Sequence, residues 1–184
     1  MSKAGKTTEI RLSGSGGQGL ILAGIILARA AVIDKRRVTQ TQSYGPESRG
    51  GYSRADVIIS DGEIFFPEAT SFDVLMALTQ EACDVYLFEL KESGVLIVDT
   101  TFVKNISLMS DHTYEVPFTE IVTEKLGSPI TTNIISLAFM VKVTGIVKEE
   151  SLKLAIAQSV KPAFLDLNYK AMSLGFDLAA KYGK

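Results

Sequence analysis

One cysteine, Cys83, and one histidine, His112, are all that 184 residues supply of two common transition-metal ligands, and there is no tryptophan. A lone thiol closes no internal disulfide and builds no cysteine-ligated zinc or iron–sulfur site. It fits a reduced, cytoplasmic setting. Beside Ala82 and Val85, Cys83 reads as an inert buried thiol. With a single histidine, no Ser-His-Asp or Cys-His arrangement can be argued, and His112 in Ser110-Asp111-His112-Thr113 reads as a solvated loop residue. The formal net charge of −2 gives no reason to expect nucleic acid or an anionic membrane surface. Leu20 to Ile33 is too short to span a bilayer, which takes about 20 residues. Met1 to Glu9 is polar, so no signal peptide is expected there. Neither an internal repeat nor a low-complexity segment is visible.

Set against these absences is a mean hydropathy of +0.21. The apolar excess sits in two helical stretches greasy on every side, Leu20 to Ile33 and Ile134 to Val143. Such helices are buried all round, either as central helices or under a partner subunit. The chain is organised around Ser13-Gly14-Ser15-Gly16-Gly17-Gln18-Gly19. Ile10 and Leu12 alternate with polar neighbours as a short strand from Thr8 to Leu12, the glycines form a tight turn, and the apolar run follows as a helix. A strand, a glycine turn and a helix N-terminus make an anion-competent arrangement, because free amides and the helix dipole point the same way.

Further along, Val38 to Ser43 predicts a second strand and Tyr44 to Gly51 a loop. Tyr52 to Ser60 alternates as a strand, with Asp61-Gly62 as a hairpin turn into Glu63 to Phe66. Phe72 to Leu78 predicts a buried parallel strand. A helix opens at Thr79 or Gln80 and runs through Leu90 to a stop at Ser93-Gly94. Val95 to Val98, closed by Asp99, is a buried strand. Weaker strands are expected at Ile106 to Met109 and Tyr114 to Val116, and a helix at Thr119 to Leu126, stopped by Gly127. Thr132 or Asn133 caps a helix ending at Gly145. Helices from Glu149 to Val160 and from Ala163 to Tyr182 complete the chain, the last with Leu167, Ala171, Leu174 and Leu178 spaced for one face. Met76, Met140 and Met172 are read as core fillers. The expectation is a single α/β domain over residues 1–184. It is three-layered and doubly wound around a mostly parallel, mixed sheet, with a helical tail from about 132.

Gly14-x-Gly16-x-x-Gly19 matches the dinucleotide fingerprint. The acidic residue required about 20 positions on, at the end of the second strand, is missing from Thr39 to Gln42, and Asp34 precedes that strand. No Lys-Ser/Thr follows the last glycine, which excludes a Walker A loop. The turn is left to hold a phosphate or to pack tightly. The loop Tyr44 to Gly51 would be displayed at a strand end, where α/β proteins bind things. Arg49 there suits a phosphate or carboxylate, or else pairs with Glu47 as surface charge.

Three stretches, GSGGQGLILAG, QTQSYGPESRGGYSRADVIIS and TTNIISLAFM with its C-terminal helices, together resemble the gamma subunit of 2-oxoacid:acceptor (ferredoxin) oxidoreductases, most of all the 2-oxoglutarate type. The likeness covers nearly the whole chain. It implies a doubly wound α/β subunit of a complex that converts a 2-oxoacid and coenzyme A to acyl-CoA and carbon dioxide, passing electrons to ferredoxin. It also implies that thiamine diphosphate, magnesium and iron–sulfur clusters sit on alpha and beta subunits, with a ferredoxin-like delta subunit as a further candidate, since this chain has neither the cysteines nor a GDG…N segment. By the same resemblance this chain is not catalytic alone. It braces its partners through Tyr44, Gly45, Pro46, Glu47, Gly50 and Gly51, and shares in a coenzyme A site through Gly14, Gly16, Gly17, Gln18, Gly19 and Arg49. The alternatives are the same role with pyruvate or a branched-chain 2-oxoacid, and a stand-alone Rossmann-type nucleotide-binding protein.

Overall fold

The computed structural model describes residues 6–44, 52–108, 110 and 112–183. Its centre is a six-stranded sheet built from β1 (Thr7–Ser15), β2 (Arg37–Tyr44), β3 (Tyr52–Ser60), β4 (Phe72–Ala77), β5 (Leu90–Asp99) and β6 (His112–Val116), in the order β2-β3-β1-β4-β5-β6. The pairs β1–β4, β4–β5 and β5–β6 are parallel, whereas β3 runs antiparallel to both β1 and β2. The mixed, mostly parallel sheet is as expected, but the hairpin argued for it is not. Residues 63–66 form no strand. Their would-be partner β3 already has β2 on one side and β1 on the other, so no edge is left to join. Phe65 and Phe66 are accordingly exposed.

One face of the sheet carries α1 (Leu20–Ile33), α3 (Phe118–Leu126), α4 (Thr132–Thr144), α5 (Glu149–Ser159) and α6 (Pro162–Tyr182). Ile10, Leu12, Val57, Ile59, Met76, Ile97 and Val116 pack against them in the main core. Among the described residues the other face carries α2 (Gln80–Tyr86) and the short 3-10 turn Leu87–Glu89, over Leu75, Ala77, Leu96 and Val98. Because β5 faces a core on each side, it reads as the continuous apolar run seen in its sequence.

Of the two apolar helices, α4 is buried without a break from Thr132 to Val141, with α6 packed along it. By contrast α1 buries Leu20, Ala23, Ile26, Leu27, Ala30 and Ala31 and leaves Val32 exposed. Two expected boundaries move. The helix opened by Thr79, whose Oγ1 accepts from the Ala82 amide, stops at Tyr86, because Leu90 is already paired with Phe72. Ser93-Gly94 therefore lies inside β5, where the register with β4 shifts. Residues 106–108 form no strand, and Met109 lies outside the described residues. His112 opens β6 rather than sitting in a loop, and it is exposed. On α6 the buried stripe is Asn168, Ala171, Met172, Gly175, Leu178 and Ala179, which leaves Leu167 and Leu174 at its margins.

Beneath β1 and β3, on the α2 side, lies a buried ion cluster. Arg11 donates from Nε and Nη2 to the two oxygens of Asp56, each at 2.7 Å, and from Nη1 to Glu89 Oε2 at 2.8 Å. Its guanidinium carbon stands 4.0 Å from the centroid of Phe72 and 4.5 Å from that of Tyr86. Burial opposes the charged form, but the bonds to Asp56 and the charges of Asp56 and Glu89 outweigh it and hold the Arg11 pKa above its usual value.

Candidate functional site

The strand does not give way to the turn at Ser13. Gly14 and Ser15 still pair with Ser53 and Tyr52 of β3, so the turn proper is Gly16 to Gly19. Gly14 is buried beneath the side chain of Gln18, close to Leu20 and Leu78, and a Cβ there would strike Gln18 Oε1. That oxygen is fixed by the Ser15 amide at 2.8 Å, and the Gln18 amide donates to the Ser15 carbonyl at 3.3 Å. Gly16 and Gly17 stand exposed above this brace. Gly17 has φ +91° and open space where a Cβ would stand, so backbone alone is presented there.

Gly19, at φ +73°, starts α1 without a side-chain cap and with no acidic residue in the first turn. The first amides of a fourteen-residue helix are therefore free for an anion. Gly19 is held from across the molecule, since Asn133 Nδ2 donates to its carbonyl at 3.0 Å. The sequence predicts Thr132 or Asn133 as the cap of α4. In the structure Thr131 occupies the N-cap of α4, without a capping side-chain bond. The amide of Asn133 is diverted to the glycine turn, a contact 114 positions away in sequence that no local pattern announces.

Three helices enter this edge from the carboxyl ends of parallel strands. β1 leads into α1, β4 into α2 and β6 into α3, and α4 begins beside α3, with Thr132 Oγ1 3.4 Å from Thr119 Oγ1. Asp99, fully buried at the end of β5, accepts from the amide of Thr101 and, in the first turn of α3, from the amide and hydroxyl of Thr119. Helix α1 leaves β1 over one face of the sheet and α2 leaves β4 over the other, so the crevice between these two strand ends is a topological switch point, the usual place for ligands in open α/β sheets. Arg54, which the sequence did not single out, is placed beside it by its pairing with Ser13, with its guanidinium 5.8 Å from the Tyr86 ring.

Of the second predicted loop, Tyr44 ends β2, while Gly45, Pro46, Glu47, Arg49, Gly50 and Gly51 lie outside the described residues. Since β2 and β3 are antiparallel neighbours, the segment joins strands that end beside the glycine turn, where Tyr52 pairs with Ser15. The nucleotide-binding alternative loses its remaining support. The strand next to β1 on that side is the antiparallel β3, and β2 lies beyond it at the edge of the sheet. Asp34 is committed at the opposite end of α1, accepting from the Lys148 amide and the Ser151 hydroxyl. Among the described residues no group of three or more His, Cys, Asp or Glu could hold a metal ion. No helix among them is long and apolar enough to cross a membrane.

Residues 9–178 match the pyruvate ferredoxin/flavodoxin oxidoreductase family. The 2-oxoglutarate synthase subunit KorC of Methanocaldococcus jannaschii is 46% identical over 93% of this chain and 93% of its own. The crystal structure of a keto/oxoacid ferredoxin oxidoreductase gamma subunit from Geobacter sulfurreducens superposes with a TM-score of 0.89 at 45% identity, covering 97% of this chain and 99% of that one. The fold also recurs within a longer chain, the 2-oxoglutarate:ferredoxin oxidoreductase of Magnetococcus marinus with 2-oxoglutarate, coenzyme A and succinyl-CoA bound. There the TM-score is 0.82 at 22% identity, over 96% of this chain and 31% of that one, a likeness of fold alone.

Proposed function

The chain belongs to the pyruvate ferredoxin/flavodoxin oxidoreductase family, and from that premise we propose that it is the gamma subunit of a 2-oxoglutarate:ferredoxin oxidoreductase. The observation that carries this reading is the 46% identity to the KorC subunit, which runs almost end to end in both chains. Such a complex joins the acyl part of a 2-oxoacid to coenzyme A, releases carbon dioxide and passes two electrons to ferredoxin. In this reading thiamine diphosphate, magnesium and iron–sulfur clusters belong to alpha, beta and delta partner subunits in the cytoplasm, and this chain does no chemistry alone.

Its own share is twofold. The apolar residues left exposed outside the core, Phe65, Phe66 and Phe88 among them, are surface for partner subunits. The loop from Tyr44 to Gly51 serves the same contact. The glycine turn and the uncapped start of α1 hold an anionic group of coenzyme A, helped by Arg49 and by Arg54 on the neighbouring strand. Exposed backbone at Gly16 and Gly17 admits a phosphate closely, and the amides of the first turn are already oriented toward it. Brace and tie, Gln18 and Asn133, keep that turn from collapsing when empty.

The test is the assembled complex carrying Arg49→Ala. The Michaelis constant for coenzyme A should rise about tenfold, the worth of one charge-assisted contact, with that for the 2-oxoacid unchanged. An unaltered constant for coenzyme A removes Arg49 from the site.

A further inference from the structure

The sheet ends on one side at β2, whose eight residues, Arg-Val-Thr-Gln-Thr-Gln-Ser-Tyr, pair without a break against β3. No strand among the described residues takes its other side, so alternate residues of β2 leave their amide and carbonyl unpaired there. Natural sheets blunt such an edge with lysine, proline or a bulge. β2 has none of these, and its one charge, Arg37, stands at the end beside Glu63. Val38 and Gln40 lie opposite Ile59 and Val57, on the face that carries α1. There a cleft of about 260 Å³ runs between strand and helix, lined by Ile25, Ala28, Val32, Val38 and Gln40 among others, and Val32 is 58% exposed. An open edge calls for an extended chain, and a cleft along it for the alternate side chains of that chain.

We propose that the occupant is β2 of a second copy of this chain, paired antiparallel about a twofold axis at Gln40, so that two six-stranded sheets join into one. The strand is complementary to itself in that register. Gln40 meets Gln40, and each amide can both give and accept a hydrogen bond. Thr39 meets Thr41 on either side of the axis, a favourable cross-strand pair. Val38 meets Gln42 and Arg37 meets Ser43, so no like charges face each other. The axis stands perpendicular to the sheet, which keeps both copies of α1 on one face and lets the two clefts, with Ile25, Ala28 and Val32 of each copy, close on one another. A strand of this length runs about 27 Å and the sheet and helix layers are about 20 Å deep, which gives roughly 1,000 Å² over both copies, the least a specific interface needs. The pair is therefore a weak one, of micromolar stability.

Sedimentation equilibrium of the full 184-residue chain from about 2 to about 500 µM should show the mass doubling, with a midpoint in the tens of micromolar. Gln40→Glu keeps the shape of the side chain and sets two carboxylates face to face on the axis, and it should weaken the dimer by about tenfold or more. Gln40→Lys should do the same. Mixed in equal amounts, the two variants should recover the dimer, because opposite charges then meet. In the parent chain, hydrogen exchange should slow at alternate β2 amides as the concentration rises, a readout that needs no variant. A chain still monomeric at about 500 µM overturns the proposal. So does a dimer that both variants leave unchanged, which places the joint on another face, and so does a mixture that fails to recover. β2 amides protected only when partner subunits are added give the edge to a partner's strand, which also overturns it. None of these results touches the subunit assignment, which is tested by assembly.

Discussion

Removing one carboxylate from the buried cluster under β1 should cost far more than removing the other. The side chains of Arg11 and Asp56 are 3% and 8% exposed, and Glu89 is 43% exposed. Asp56→Ala strips a twofold-bonded partner from a guanidinium that cannot reach water. Breaking such a buried pair costs about 3–5 kcal/mol, out of a total stability of roughly 5–15 kcal/mol for a domain. At about 2–4 °C per kcal/mol for this chain length, the melting temperature should fall by roughly 6–20 °C. Glu89→Gln removes a half-exposed charge that water and salt already screen, and should cost no more than about 1 kcal/mol. Replacing both members, Arg11→Met with Asp56→Leu, should recover much of the loss, because an apolar pair between Phe72 and Tyr86 leaves no buried charge unpaired and Glu89 keeps its access to water. Equilibrium urea unfolding of the four proteins, followed by circular dichroism, reads these differences. If Asp56→Ala stays within about 1 kcal/mol of the parent, or Glu89→Gln is equally damaging, the burial argument fails.

Gly19→Ala should destabilise the chain by about 1–2 kcal/mol for its left-handed backbone alone. Its new methyl would also stand 2.5 Å from Asn133 Nδ2, so the Asn133 amide resonance should shift as well; an unshifted resonance removes the tie between α4 and the turn. Burial, and then the nearby charge of Asp84, push the Cys83 thiol up to about 11. In native protein it should therefore resist thiol reagents at pH 8 and react only on unfolding. Since the unfolded thiol ionises first, its contribution to stability is intact below about pH 9 and declines as the pH rises toward 11; rapid labelling of the native chain at pH 8 contradicts this. Phe88→Ser, at a residue 73% exposed, should leave the unfolding midpoint nearly unchanged but weaken recovery of partner subunits in a pull-down. Unchanged recovery removes Phe88 from the interface.

Local signals in the sequence reach a long way into this fold. The run Leu20–Ile33 is bounded by Gly19 and Asp34 and is a helix over those residues. Gly127 and Gly145 end α3 and α4 where expected, and Tyr52–Ser60 is the strand its alternation predicts. What escaped depends on partners distant in sequence. Asp61-Gly62 carries the chemistry of a hairpin, but a turn forms a hairpin only if the strand before it has a free edge, and β1 and β2 occupy both edges of β3. The alternation around Ile10 marks Arg11 as outward-facing, which is right for the face and wrong for the environment, since α2 and the turn after it cover that side. The glycine turn was legible as a turn, whereas its tie to Asn133 was not, because Thr-Thr-Asn before an apolar run reads equally well as a helix cap. Of the predicted loop Tyr44 to Gly51, Tyr44 ends β2 instead, held by its pairing with Ser53, and residues 45–51 lie outside the described residues.

On the function proposed above, these strand-end loops serve a reaction centre completed by other chains. The most direct measurement of this is to tag this chain in its native cells, recover it gently, and assay the recovered material for coenzyme A-dependent reduction of ferredoxin with 2-oxoglutarate, pyruvate and a branched-chain 2-oxoacid in turn. The account predicts brown, cluster-bearing partner chains and the fastest reduction with 2-oxoglutarate. A colourless chain recovered alone, retaining a nicotinamide nucleotide or showing dehydrogenase activity by itself, would contradict it.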